Sequence, residues 1–377
     1  MTGNPFKPTA GASPPLLIGR ERVASAFREG LDDGPGAPDR LSLCTGPRGI
    51  GKTAMLSELG HQARERGWVV IDDTATEGLL ERLRGEMQTR LTGLDAAPRR
   101  GRPVTGMTLT GLGGMTVAPP APEPDKHLRE LWNALLDVVE QHGAGVLLTV
   151  DEVHRGAVGE LRLLAATYQH LVREQRNVAL VLAGLPSGVS DLLNDDVLTF
   201  LRRAERHTLA DIPLPEVRAA LLSTVAENGR EIVDDALDLA TGATGGYPFM
   251  IQLVGYHVWR KSHGGVIDVD VAAEGVEAAR VRLGSTVHEA NLQALSDIDR
   301  TYLVAMAQDD GPSRTRVIAE RLDVGTGYGN VYRSRLIAAG VIRAHGHGRV
   351  DFTVPYLREY LREHAAGLEL GGRLARE

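Results

Sequence analysis

Eight consecutive residues carry the clearest chemistry in this chain. Gly46-Pro47-Arg48-Gly49-Ile50-Gly51-Lys52-Thr53 has the form G-x-x-x-x-G-K-T. Glycines at these spacings let backbone N–H groups curl around phosphate oxygens, and the N-terminus of a following helix adds roughly half a positive charge. The lysine bridges the β- and γ-phosphates, and the Thr hydroxyl can ligate magnesium. About a hundred residues later, the apolar run 146–150 ends in Asp151 and Glu152. The first acid would complete a magnesium shell, and the second would orient or deprotonate an attacking water. Acids also end strands for solubility, so this pair draws its weight from its separation from the glycine loop.

Two strand ends that far apart can share a ligand only if the strands lie side by side in one sheet. The runs 41–44, 68–71, 146–150 and 178–183 are short and apolar throughout, as strands buried on both faces should be. Segments 52–66, 126–142 and 157–175 between them carry apolar residues at helical spacing. This alternation predicts an α/β fold, a P-loop parallel sheet with helices on both faces. A fifth strand is expected over 206–212. Residues 1–15, rich in Pro, Gly, Thr and Ala, read as a disordered lead-in to a domain over 16–212. Within it, 94–125 is a Gly/Pro-rich insertion, either a surface loop or a hairpin of 104–108 with 115–117. Helical patterns take over in 213–290, with the aromatics of 247–261 read as core, and a unit of different character occupies 291–377.

Composition narrows the function classes. The chain of 377 residues has 42 basic and 49 acidic side chains, so it is not a polycation. Only four of the basic residues are lysines (Lys7, Lys52, Lys126 and Lys261), which makes any lysine in a special context worth attention. A single cysteine, Cys44, excludes an internal disulfide and suits a reducing, cytoplasmic setting. Neither a secretory leader nor an 18-residue apolar run is legible, so no membrane span is expected.

Leu17-Ile18-Gly19-Arg20-Glu21 precedes the P-loop by about 27 residues, and with it resembles the entry motif of AAA+/STAND-type ATPases related to the origin-recognition-like ATPases. The resemblance covers nearly the whole chain. It implies ATP and Mg²⁺ as ligands, with Gly19 and Arg20 near the adenine, a helical lid over 213–290 and a C-terminal winged helix-turn-helix. It also marks Arg202, Arg203 and above all Arg206 as candidates for a finger reaching the γ-phosphate of a neighbour in a homo-oligomer; a solvated helix end is the other reading. Two departures matter. The fourth strand ends in Ala183-Gly184-Leu185 without the usual polar sensor, and Gly245-Gly246-Tyr247-Pro248-Phe249 stands where a sensor arginine is common. That stretch is similar to the Gly-x-Pro of STAND switches, which implies Pro248 against the base and slow hydrolysis.

In the last unit, helices over 299–308, 314–322 and 328–339 and a hairpin around His345–Gly348 give the winged-helix order. Seven arginines between 314 and 349 face only Glu320 and Asp323, which makes this the basic part of an acidic chain. Arg333, Arg335 and Arg349 are the candidates for contact with double-stranded DNA; packing against the core or an effector protein is the alternative. His345 and His347 read as turn residues rather than zinc ligands. The sequence therefore describes a nucleotide-dependent switch with Glu152, Lys52 and Arg206 as candidate catalytic residues and Thr53 and Asp151 for the metal. A non-catalytic nucleotide-sensing adaptor and a replication-initiator-like DNA-binding ATPase remain as alternatives.

Overall fold

Five strands, β1 (Leu41–Thr45), β2 (Val69–Thr74), β3 (Val146–Asp151), β4 (Val178–Gly184) and β5 (Glu205–Thr208), form one sheet in the order β2-β3-β4-β1-β5. Every neighbouring pair is parallel. The computed structural model describes residues 3–9, 18–95, 124–154, 157–194 and 199–365. The hairpin considered for 104–108 and 115–117 lies outside the described residues. All of β4 and all of β3 but Asp151 are buried, which is why these runs read as continuously apolar rather than alternating. Helices α1 (Glu21–Asp33), α2 (Lys52–Glu65), α3 (Leu79–Asp95), α4 (Pro124–Val139), α5 (Val158–Arg173) and α6 (Pro186–Leu193) accompany the sheet.

The fifth strand is shorter than the sequence suggests. Leu209 N still donates to Thr45 O, but Ile212 N turns to Gly246 O of the next domain, so the run leaves the sheet before Pro213. The lid follows as α7 (Leu214–Glu227), α8 (Asp234–Thr244), α9 (Pro248–Lys261) and α10 (Val269–Leu283), and it shares one apolar core with the sheet. Residues 3–9 do not form a loose lead-in, because Phe6 is buried against α9 and joins that core. One aromatic ring in a closed niche offsets the ordering cost that the composition of this segment suggests it cannot meet.

A second core belongs to α12 (Asp297–Ala307), β6 (Ser313–Arg314), α13 (Thr315–Arg321), α14 (Thr326–Ala338), β7 (Ile342–Ala344), β8 (Arg349–Phe352) and α15 (Leu357–His364). Its strands form an antiparallel sheet in the order β6-β8-β7, and 345–348 make the exposed turn between β7 and β8. Among the described residues no cluster of His, Cys, Asp and Glu suits a metal, and no helix is long and apolar enough to cross a membrane.

Helix α10 passes through a π-helical turn, Gly284–His288, into the short α11 (Glu289–Gln293). The turn buries His288 beside Tyr360, ring centroids 5.2 Å apart, with neither ring nitrogen hydrogen-bonded. Burial pushes its pKa from 6.5 down to about 4. The unfolded chain protonates this imidazole near pH 6.5 and the folded chain only near 4, so its contribution to stability is full above 6.5 and lost as pH falls through that window. Denaturant titrations should show wild type losing about 2 kcal/mol more than His288→Phe between pH 7 and pH 5. Parallel losses would mean that the imidazole stays solvated.

Candidate functional site

The carboxyl ends of β1, β3 and β4 open into a cavity of about 920 Å³. Because β4 lies between β1 and β3, the loop after β1 and the acids after β3 face each other across one strand. Thr53 Oγ1 donates to Asp151 Oδ2 at 2.5 Å, and Asp151 Oδ1 accepts from the Glu152 N–H at 2.8 Å. This pairs a hydroxyl with a carboxylate, the hard oxygen donors a magnesium ion takes. Lys52 Nζ donates to Gly46 O at 3.0 Å and Pro47 O at 2.8 Å. Burial pulls the Lys52 pKa below the usual lysine value, opposed by the negative charges of Asp151 and Glu152. Arg48, Gly49, Gly51, Lys52, Thr53, Asp151, Glu152 and Pro248 all line the cavity.

Glu152 sits in the left-handed region at φ 54°, which turns the chain so that Val153 N can donate to Ala183 O. Val153 then fills the space beside the end of β4. A β-carbon on Gly184 would fall 2.6 Å from the Val153 side chain, so a polar sensor has no room there. The missing sensor noted in the sequence is thus a packing consequence.

The lid reaches the loop directly. Tyr247, fully buried at the start of α9, donates its hydroxyl to Arg48 O at 2.6 Å. Gly49, at φ 73°, leaves the space the ring occupies: a β-carbon there would lie 1.9 Å from the Tyr247 oxygen. Tyr247 and Trp259 are core residues, whereas Phe249, grouped with them in the sequence reading, faces the cavity.

Several expected residues stand elsewhere. Gly19 and Arg20 do not line the cavity. Arg20 is buried behind the P-loop and donates to Ala210 O at 2.6 Å and Ile50 O at 3.3 Å, so it braces the loop rather than meeting a base. Gly46, Pro47 and Ile50 form the back of the same turn. Arg206 is exposed on the edge strand β5, its guanidinium near Arg202 O at 3.4 Å, outside the cavity. The sequence reading missed Lys7, Gln252, Arg282 and Asn291, which line the cavity from outside any motif. Only Lys7 left a signal, through the rarity of lysine.

The basic stretch 314–349 is largely neutralised by acids, most of them from outside that window. Arg316 pairs with Glu320, Arg321 with Asp309, Arg335 with Asp299 and Arg343 with Asp211. Arg335 supports the fold, since Asp299 is buried and its Oδ2 accepts from both Arg335 and Ser296. Arg333 is half-buried with Nε unpartnered, and Arg349 is exposed. The unit leans on the ATPase side. Tyr356 donates to Ala243 O, and a β-carbon on Gly340 would lie 3.1 Å from Pro47 Cα.

A P-loop on β1, acids on β3, this strand order and a helical lid define the class of AAA+ P-loop ATPases. Residues 16–181 match the AAA ATPase domain family, and that part of the chain is an AAA+ ATPase domain. Residues 285–361 match a family described only as a domain of unknown function. Among solved structures, a Walker-type ATPase of Pyrococcus abyssi is similar at 18% identity over 92% of this chain and 96% of that one, with a TM-score of 0.64. Cdc6p of Pyrobaculum aerophilum is similar at 15% identity over 96% and 97%, with a TM-score of 0.50. At such identities the likeness is one of fold. No curated protein matches the chain.

Three substitutions separate the roles assigned above. Tyr247→Phe keeps the ring and removes the bond to Arg48 O, and should weaken ATP binding about fivefold, on the order of 1 kcal/mol, in a fluorescent-analogue titration. Unchanged affinity would show that the hydroxyl does not fix the loop. Arg335→Ala strands the buried Asp299 carboxylate and should cost about 2 kcal/mol in denaturant unfolding, while Arg349→Ala leaves stability within ~0.5 kcal/mol. Equal effects would remove the structural role of Arg335.

Proposed function

We propose that the chain is an ATP-binding, slowly hydrolysing switch of the STAND kind, whose lid couples nucleotide state to a C-terminal winged helix over 297–364. The observation that carries this reading is the Tyr247 hydroxyl on Arg48 O, because it ties the lid to the backbone that cradles phosphate. Lys52 would leave the Gly46 and Pro47 carbonyls for phosphate oxygens, and the P-loop N–H groups would hold the rest of the charge. Thr53 and Asp151 would hold magnesium, which supplies Lewis-acid neutralisation of the phosphates. Glu152, exposed at the cavity wall, would position and deprotonate a water. Pro248, which lines the cavity at the start of α9, would meet the base. With Gly184 offering no polar sensor, full rate would need an arginine from a neighbour, and the edge position of Arg206 suits that role in a homo-oligomer. A cytoplasmic setting accords with the single buried thiol of Cys44.

The output of such a switch is duplex DNA or a protein. Four of the seven arginines are already in ion pairs, and α14 exposes Tyr328 and Val331, so these observations favour a protein partner over phosphate tracking. Glu152→Gln should retain ATP binding and lose hydrolysis about a hundredfold or more in a phosphate-release assay. Hydrolysis at the wild-type rate would remove Glu152 from the mechanism. With the same variant, salt-sensitive duplex binding that changes with ATP would favour DNA. Its absence alongside nucleotide-dependent self-association would favour protein contact.

A further inference from the structure

Phe6 ties residues 4–9 to the lid, where its ring borders the same small cavity as Leu221 and Val225 of α7, Ala240 of α8 and Val254 and Val258 of α9. Its ring is 4% exposed and occupies the niche left by Gly255 on α9, where a β-carbon would fall 2.3 Å from the ring. Asn4 Nδ2 donates to Tyr256 O at 2.9 Å, and Asn4 Oδ1 accepts from Phe6 N at 3.0 Å. Lys7 N donates to Gln252 Oε1 at 3.0 Å. The Gly255 niche and both hydrogen bonds to the lid belong to α9, the helix that begins with Pro248 beside the P-loop. The next residues, Lys7, Pro8 and Thr9, line the same cavity as Lys52 and Thr53.

The type of residue delivered there matters. The chain has four lysines in 377 residues, and two of them, Lys7 and Lys52, face one cavity. Among the described residues no ion pair engages the Lys7 ammonium. An ammonium offers three donors and no acceptor, so it suits phosphate oxygens rather than the mixed donor and acceptor edge of a base. A nucleoside triphosphate carries more negative charge than one lysine and one divalent ion cancel.

We propose that residues 4–9 form a strap, carried by α9, that brings Lys7 to the polyphosphate of a bound nucleotide as a second lysine. The strap moves with the lid because its anchors are all on lid elements, so lid closure and charge neutralisation become one event. This inference rests on the reading of the cavity as a nucleotide site.

Calorimetric titration of the full chain with ATP, ADP and adenosine tests it, using Lys7→Gln, Phe6→Ala and Lys52→Ala. Lys7→Gln should weaken ATP about tenfold, ADP less and adenosine not at all, and should flatten the salt dependence of ATP binding. Phe6→Ala should reproduce that pattern by releasing the strap, with circular dichroism confirming an intact fold. Wild-type ATP affinity and salt slope in Lys7→Gln, while Lys52→Ala loses binding, would overturn the strap alone. An equal loss for adenosine would overturn the assignment to phosphate. Binding by Lys52→Ala that matches wild type would overturn the nucleotide reading and the strap with it.

Discussion

The contact between the Thr53 hydroxyl and the Asp151 carboxylate is what the rest of the site depends on. These residues are 98 positions apart, and they meet because parallel strands put all their carboxyl ends on one side of the sheet. With β4 between β1 and β3, the P-loop and the acidic pair face each other across the width of one strand. The unbroken apolar character of β3 and β4 therefore serves the chemistry, since it keeps both strands in the interior of the sheet beside β1.

From that contact the constraints spread outward by packing. Glu152 adopts a left-handed backbone to seat Val153 against Ala183, and Val153 then excludes any side chain at Gly184. On the other side, Gly49 admits the Tyr247 ring, and the ring carries the start of α9 with it. The loop that would cradle phosphate is thus bounded by one glycine that yields to the sheet side and one that yields to the lid. Arg20 closes the back through the Ile50 and Ala210 carbonyls, tying the entry motif to the loop's shape. Rigid bracing of this kind is what lets a ligand's charge be felt at a distance as movement of a whole element.

The C-terminal unit teaches the opposite lesson about local counting. Seven arginines in 36 positions look like an anion-binding face, yet Asp299, Asp309 and Asp211 lie outside that window and fold back onto it. Arg335 is spent on a buried carboxylate, and Arg343 holds the unit to the ATPase side. Ion pairs between distant positions are invisible to a window sum, because charge is neutralised in space and not along the chain.

The sequence by itself determined the parts whose physics is local. The P-loop follows from backbone freedom at fixed spacing, the buried strands from uninterrupted apolar runs, and the acids of β3 from their place at a strand end. The helices of 213–290 and three of the four helices from α12 to α15 were likewise legible from helical periodicity, whereas α15 was not read. What only the tertiary structure decided were relations across the fold: Phe6 in the niche of Gly255, Tyr247 over Gly49, Arg20 behind the loop and the pairing of the arginines. Each depends on a cavity or a charge supplied by a segment far away in sequence. Composition made residues 1–15 look too polar and too small to order, and one ring meeting a glycine on a distant helix was enough to reverse that for 3–9. Periodicity reports what a residue shares with its neighbours along the chain, and these contacts are set by the neighbours it acquires in space.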